Sequence, residues 1–298
     1  MSSKTKKLTF AQKVSKHKQL IPFVLPAILF ALIFCYLPMA GIVIAFKDNP
    51  NFMRYDVFEA LQRADWTLEH FEMIFSDPEI FRVVRNTLII SVMKIVILFP
   101  LPVILAVMIT ELRSQKFSKL VQGLVFLPHF FSWVVIVGIF NSLFGLYGPI
   151  NNIVEALGGT PTHFMGEPLW FRWLVVILSG WKEIGYSSIV YIAAIMSIDP
   201  SLYEAAKIDG ASKLKQIWNI TIPSIMPTII VMLIIRIGYL MDAGFEQVYA
   251  MLNANTMSTG DIIGTFVYRK AMGAESNYGL STAVGLINGK KKTGSGVW

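Results

Sequence analysis

Residues 21–46, IPFVLPAILFALIFCYLPMAGIVIAF, form 26 consecutive positions without one charged side chain. A helix rises about 1.5 Å per residue and a bilayer's hydrocarbon core is about 30 Å thick, so roughly 20 such residues cross it. Six lysines and no acid precede the run. A secretory leader begins in the same way, but its apolar core is only about 7–15 residues long, so this run reads as a retained span. Comparable uncharged or nearly uncharged runs follow at about 86–109, 121–144, 169–198 and 224–241, with a shorter sixth at 277–289. Lipid offers the backbone no hydrogen-bonding partner, and these runs lack the alternation of barrel strands, so they read as helices. Only 15% of the chain is charged, against about 25% in soluble domains. The expected fold class is therefore all-α: a polytopic helical membrane protein of about six spans, the last shortened.

Charge sets the orientation. With the N-terminus inside, residues 1–20, 110–120, 198–223 and 290–298 carry 15 Lys or Arg, whereas 47–85, 145–168 and 242–277 carry 7. The positive-inside rule selects this arrangement. The net charge of +7 then reads as orientation and attraction to the anionic bilayer. Nucleic acid is not an expected partner, because no basic helix or aromatic-basic motif accompanies the charge. Cys35 is the only cysteine, which excludes an intrachain disulfide. The four histidines, 17, 70, 129 and 163, have no ligand spacing, and no metal site is expected. The expected organisation is a basic cytoplasmic N-terminus (1–20), a transmembrane domain (21–289) and a basic cytoplasmic tail (290–298).

The polar stretch DPSLYEAAKIDGASKLKQIWNITIP, residues 199–223, faces the cytoplasm in this topology. Two helix starts fit it: Ser201 with Glu204 as a capping box, or Asp199 as N-cap with Pro200 at the first helical position. Gly210 can take the left-handed conformation that ends a helix, and Ser212 can cap another. The expectation is two short helices joined at Gly210. Leu214, Ile217 and Trp218 give the second an apolar stripe, and Ala205 and Ala206 give the first a side that another backbone can approach closely. A unit of this kind suits a docking element better than a simple turn.

Glu204-Ala205-Ala206, Gly210 four residues after the last alanine, nine further residues to Ile220, and Pro223 together resemble the EAA loop of permease subunits of binding-protein-dependent ABC importers. Ile222 stands where leucine is usual. YLPMAGIVIAFKD (36–48), LPHFFSWVVIVGIF (127–140), WKEIGYSSIVYIAA (181–194) and FEQVYAMLN (245–253) resemble the branch that imports oligosaccharides of the alginate or aldouronate type. The resemblance implies a bacterial cell-membrane protein without catalytic chemistry of its own. It also implies a second permease subunit, two cytoplasmic ATPase subunits and an extracellular solute-binding protein that delivers a sugar. Glu204, Ala205, Ala206, Asp209 and Gly210 would then seat in the ATPase, with ATP and magnesium bound there and no cofactor on this chain. GLINGK (285–290) is one residue too short for a phosphate-binding loop, and Lys291 follows instead of Ser or Thr.

Lys94, Arg172, Lys182, Glu183 and Arg236 lie in or near apolar runs, where an ionised group is costly unless paired or hydrated. Lys182 precedes Asp199 by 17 residues, about 25 Å of helix, which puts it in the outer half of its span. Trp181, Glu183 and Tyr186 are candidates for lining the outer part of a sugar pathway; anchoring, or contact with a second permease, is the alternative. Asp242, Glu246 and Gln247 are candidates for contact with substrate or delivery protein. Pro100 and Pro102 are expected to bend the second span. In permeases of this kind the last span is full length, so the shortness of residues 277–289 suggests about 10–20 apolar residues missing between Gly289 and Lys290. The competing functions are import of a non-sugar solute and a stand-alone secondary transporter or channel, the latter expected to show paired repeats with broken helices.

Overall fold

The computed structural model describes residues 21–48, 50–52, 54–273 and 276–288, and these residues are almost entirely helical. The basic end segments 1–20 and 290–298, and the proposed gap between Gly289 and Lys290, lie outside them. Among the described residues, those from 21 to 73 together with 276–288 form one compact unit, and 74–273 another.

In the first unit, α1 (Ile21–Ala31) continues through a π turn (Leu32–Tyr36) and a 3-10 segment (Leu37–Phe46). Together they supply an apolar helical rod over Pro22–Phe46, 25 residues long. Its side chains are mostly exposed, as expected of a span whose solvent is lipid. Lys47 follows, paired with Trp66 in a single antiparallel bridge. Its ammonium donates to the Ala64 carbonyl at 2.9 Å and lies over the Trp66 ring. Helices α2 (Val57–Arg63) and α3 (Glu69–Ser76) give this loop folded structure of its own.

The second unit begins with α4 (Pro78–Leu98) and α5 (Pro100–Thr110). The helix is interrupted at Phe99, just before Pro100 and Pro102, where a bend is expected, yet the two pieces remain one span. Phe99 keeps right-handed helical angles and donates to Ile95, so Pro78–Thr110 runs as one apolar rod of 33 residues. The third apolar run, in contrast, is not one helix. It divides into α6 (Gln115–Phe126), a 3-10 turn over Leu127–Phe130, an extended Phe131, and α7 (Trp133–Phe144) capped by Ser132. Pro128 cannot donate a backbone hydrogen bond, and Ser132 offers a new helix start, so the chain breaks inside an otherwise apolar stretch. A short α8 (Pro149–Ala156) leads to the long α9 (Pro168–Met196), and α10 (Pro200–Ile208) departs from α9 at 69°.

After Gly210, α11 (Lys213–Gln216) is not a separate short helix. It passes through a π turn (Ile217–Thr221) into α12 (Ile222–Gly238), giving a 26-residue apolar span from Lys213 to Gly238. Pro223 lacks the donor that would continue regular pairing, and the wider π turn accommodates this. Helices α13 (Phe245–Met251), α14 (Met257–Gly260) and α15 (Ile263–Met272) complete the second unit, and α16 (Tyr278–Ile287) returns to the first. The sixth run is short as expected: α16 has 10 residues.

Helix α9 organises the second unit. At one end Phe171, Leu174, Val175 and Leu178 meet Ile90, Ile136, Val137, Phe140 and Val248 in a buried core. At the other, Tyr191 and Ile192 pack with Val103, Ala106, Ile109 and Ile225. Between them Gly185 crosses α6 so closely that a Cβ would overlap the Val125 carbonyl. In lipid, apolar burial provides little drive for helices to associate, and close packing through small residues supplies it instead.

Candidate functional site

The loop between α9 and α12 is built by its own punctuation. Asp199 is the cap, accepting from the Ser201 amide at 2.9 Å with Pro200 behind it, and the Ser201 capping box is not used. These Ser201 bonds hold the Asp199 carboxyl below the usual carboxylate range. At the other end, Gly210 N–H donates to the Lys207 carbonyl at 3.1 Å and Ala211 N–H to the Ala206 carbonyl at 2.8 Å. This is the paired closure of a helix ending in a left-handed glycine, and Gly210 has φ +73°. Ser212 then caps α11, accepting from the Lys215 amide.

Three contacts make this loop stiff. The Tyr203 hydroxyl meets the Thr221 hydroxyl at 2.9 Å, tying α10 to the π turn below α12. Buried Gln216 donates to the Ala211 carbonyl at 2.9 Å. Lys213 reaches Glu111, just past α5, at 2.6 Å; being exposed, that pair is worth only about 0–1 kcal/mol and positions more than it stabilises. Glu204, Ala205 and Asp209 remain exposed, with Ala206 half-buried. Beside them Ile208 is 86% exposed, and Leu214 and Trp218 are each 68% exposed. Apolar surface on a stiff loop with exposed charged residues is the makeup of a docking face.

The charged residues of the apolar runs find separate partners. The Lys94 ammonium, buried within α4, donates to the Ala243 carbonyl at 2.8 Å and to Gln247 Oε1 at 2.9 Å. Gln247 in turn donates to the Val175 carbonyl, and its Oε1 also accepts from Ser179. Lys182 donates to the His129 and Phe131 carbonyls, groups that the break between α6 and α7 leaves without helical donors. Glu183 turns away from its neighbour and pairs with Arg236 of α12 at 3.6 Å. Arg172 donates to the Thr259 carbonyl and to Asn86. Trp181 meets Phe140 in a T-shaped contact, and Tyr186 stacks on His129 with centroids 3.8 Å apart. Thus Trp181, Glu183 and Tyr186, on one stretch of α9, each carry an exposed or half-exposed polar or aromatic surface. Asp242 and Glu246 are exposed on the turn into α13, where Asp242 accepts from the Gly244 amide.

A family model described as the binding-protein-dependent transport system inner membrane component matches residues 99–252, which contain the α9–α12 loop and the Lys94-bound turn. The polygalacturonan/rhamnogalacturonan transport system permease protein YteP of Bacillus subtilis is 39% identical over 95% of this chain and 87% of its own length. The chain belongs to this permease family. Protein LplB of Bacillus subtilis is 38% identical over the same shares. In three dimensions the chain resembles a bacterial ABC transporter involved in import of the acidic polysaccharide alginate, with TM-score 0.84, 36% identity and coverage of 93% of this chain and 91% of the other. A second structure of an alginate transporter, in complex with an alginate pentasaccharide-bound periplasmic protein, gives 0.83 at 36% identity. The chain is therefore a multi-pass membrane permease component, and its family role is transport.

Sequence reasoning singled out Lys94, Lys182 and Glu183 without naming what they touch. Their partners lie up to 153 positions away, from Lys94 to Gln247, beyond the reach of local patterning. Tyr203 and Thr221, which brace the loop, were not singled out at all. Their spacing of 18 residues spans a glycine turn and carries no helical or strand period.

Proposed function

We propose that this chain is one of the permease subunits of an ATP-driven importer that receives an acidic oligosaccharide from an external binding protein. The observation that carries the reading is α10: a capped helix held at 69° to α9, ended by Gly210, with Glu204, Ala205 and Ile208 facing outward. With the N-terminus inside, this helix meets the cytoplasm, and it fits a groove on an ATPase partner that itself holds ATP and magnesium. Closure of two ATPases on ATP draws α10 with it. The Tyr203–Thr221 tie passes the movement to α12, and the bend at Asp199 passes it to α9. The middle of α9 and the outer end of α12, joined through Glu183 and Arg236, then part from the matching helices of a second permease and open the cavity outward.

The substrate class rests on two relatives, one named for polygalacturonan/rhamnogalacturonan and one for the acidic polysaccharide alginate. On this reading Trp181 and Tyr186 offer ring surface to the sugar, Glu183 and Arg236 offer hydrogen bonds, and Asp242 and Glu246 lie on the delivery side. Reconstitution with the partner permease, ATPase and binding protein in vesicles tests the proposal. Uptake of pentagalacturonate that requires ATP and no ion gradient is expected. Uptake driven by an ion gradient without ATPase subunits would overturn it.

A further inference from the structure

Helices α13 and α15 carry an aromatic arrangement that the coupling loop and the α9 surface do not use. Phe245 and Tyr249 stand one turn apart on α13, stacked at 5.5 Å between centroids with planes 23° apart. Tyr268 of α15 meets Tyr249 edge-on at 4.9 Å and Phe245 at 5.7 Å. The sequence builds this seam by matching intervals. One turn before Tyr268 stands Gly264, where a Cβ would lie only 3.2 Å from the Phe245 ring. A larger residue there would push α15 away and separate the rings.

The opposite face of α13 is anchored. Gln247, Val248 and Met251 are buried, and Gln247 is held by Lys94, Ser179 and Val175. The seam is therefore preorganised. Yet Tyr249 is 50% exposed and Tyr268 41% exposed. Two half-exposed tyrosine rings bearing hydroxyl tips, on a segment that the charge distribution places outside, match the chemistry of a pyranose. Its C–H face packs on an aromatic ring, and its hydroxyls pair with polar tips.

We propose that Phe245, Tyr249 and Tyr268 form a stacking platform that holds one sugar ring of an incoming oligosaccharide at the outer mouth of the permease. The inference rests on the sugar-importer reading and adds a subsite to it. It is tested in the reconstituted complex by the pentagalacturonate concentration that gives half-maximal ATP-driven uptake, with co-purification of the second permease measured on the same preparations. Tyr249→Ala and Tyr268→Ala should each raise that concentration roughly tenfold with assembly and maximal rate retained, and Tyr249→Phe, which keeps the ring, should stay within about twofold. Unchanged half-saturation in both alanine variants would overturn the platform. So would loss of the partner permease in those variants, since that would make the seam a subunit interface. A wild-type complex that transports neither pentagalacturonate nor a neutral pentasaccharide would remove the importer reading and the platform together, whereas normal wild-type uptake with indifferent variants would remove the platform alone.

Discussion

Replacement of Gly210 isolates the backbone turn from everything around it. Its φ is +73°, and a Cβ added there meets nothing within 4 Å, so alanine introduces no clash and only the conformational cost remains. That cost is about 1–2 kcal/mol for an L-residue in the left-handed region, which lowers the population of the native turn about 5- to 30-fold. Asparagine tolerates this region better and should cost less. Proline should cost most, because it fixes φ near −65° and removes the N–H that donates to the Lys207 carbonyl. Sugar uptake and ATP hydrolysis measured on the same vesicles give the number of sugars moved per ATP. That ratio should fall in the order Gly, Asn, Ala, Pro while the variants still insert and co-purify with the second permease. A proline variant with the wild-type ratio would refute the turn's role. Asparagine and alanine variants as impaired as proline would show that side-chain bulk, not backbone conformation, is what the partner senses.

Four further perturbations follow from the same geometry. Glu204→Lys should weaken co-purification of the ATPase, more at low than at high salt because the exposed charge is screened; equal recovery at both would argue against a charged contact. Tyr203→Phe and Thr221→Val should each cost about 1 kcal/mol in the detergent-solubilised complex and lower coupling, with the double variant no worse than either single one; additive losses would mean the two hydroxyls act separately. Gly185→Ala should destabilise by about 1–3 kcal/mol, as α9 and α6 are forced apart, and an unchanged melting temperature would contradict the close crossing. The Asp199 carboxyl titrates below its usual range because of the Ser201 bonds, so its contribution to the cap is complete above the ordinary carboxylate pKa and is lost as pH falls through the lowered value. The protection of the Ser201 amide relative to its intrinsic exchange rate should fall over that acid range and lose this pH dependence in Asp199→Asn; a pH-dependent fall that persists in the variant would place the titrating group elsewhere.

The spans were legible because lipid imposes a length and a polarity that any uncharged run must meet, whatever its packing. The third run misled for the same reason: hydropathy averages over Pro128 and Ser132, which are few and weakly polar, although together they divide α6 from α7. Pro100 marks an interruption of the second span at Phe99 that leaves it one span. The donor that Pro100 lacks falls at the first turn of α5. The caps and the glycine turn of the α9–α12 loop were readable, since they act over four or five positions, although α11 proved to be the start of the next span. Lys182 was not. Its role as donor to the His129 and Phe131 carbonyls depends on a helix break that the sequence presents as an unbroken apolar stretch.

If α10 seats in an ATPase inside the cell, cysteine cross-linking will capture the contact. Cys35 is the only cysteine, so a Cys35→Ser background accepts single probes: Ala205→Cys on α10 and Tyr147→Cys before α8. Treated with a short thiol-to-amine cross-linker in native membranes, Ala205→Cys should yield an adduct with an ATP-binding subunit and Tyr147→Cys should yield none. An ATPase adduct from Tyr147→Cys, or none from Ala205→Cys in a complex that still transports, would contradict both the docking role and the orientation assigned here.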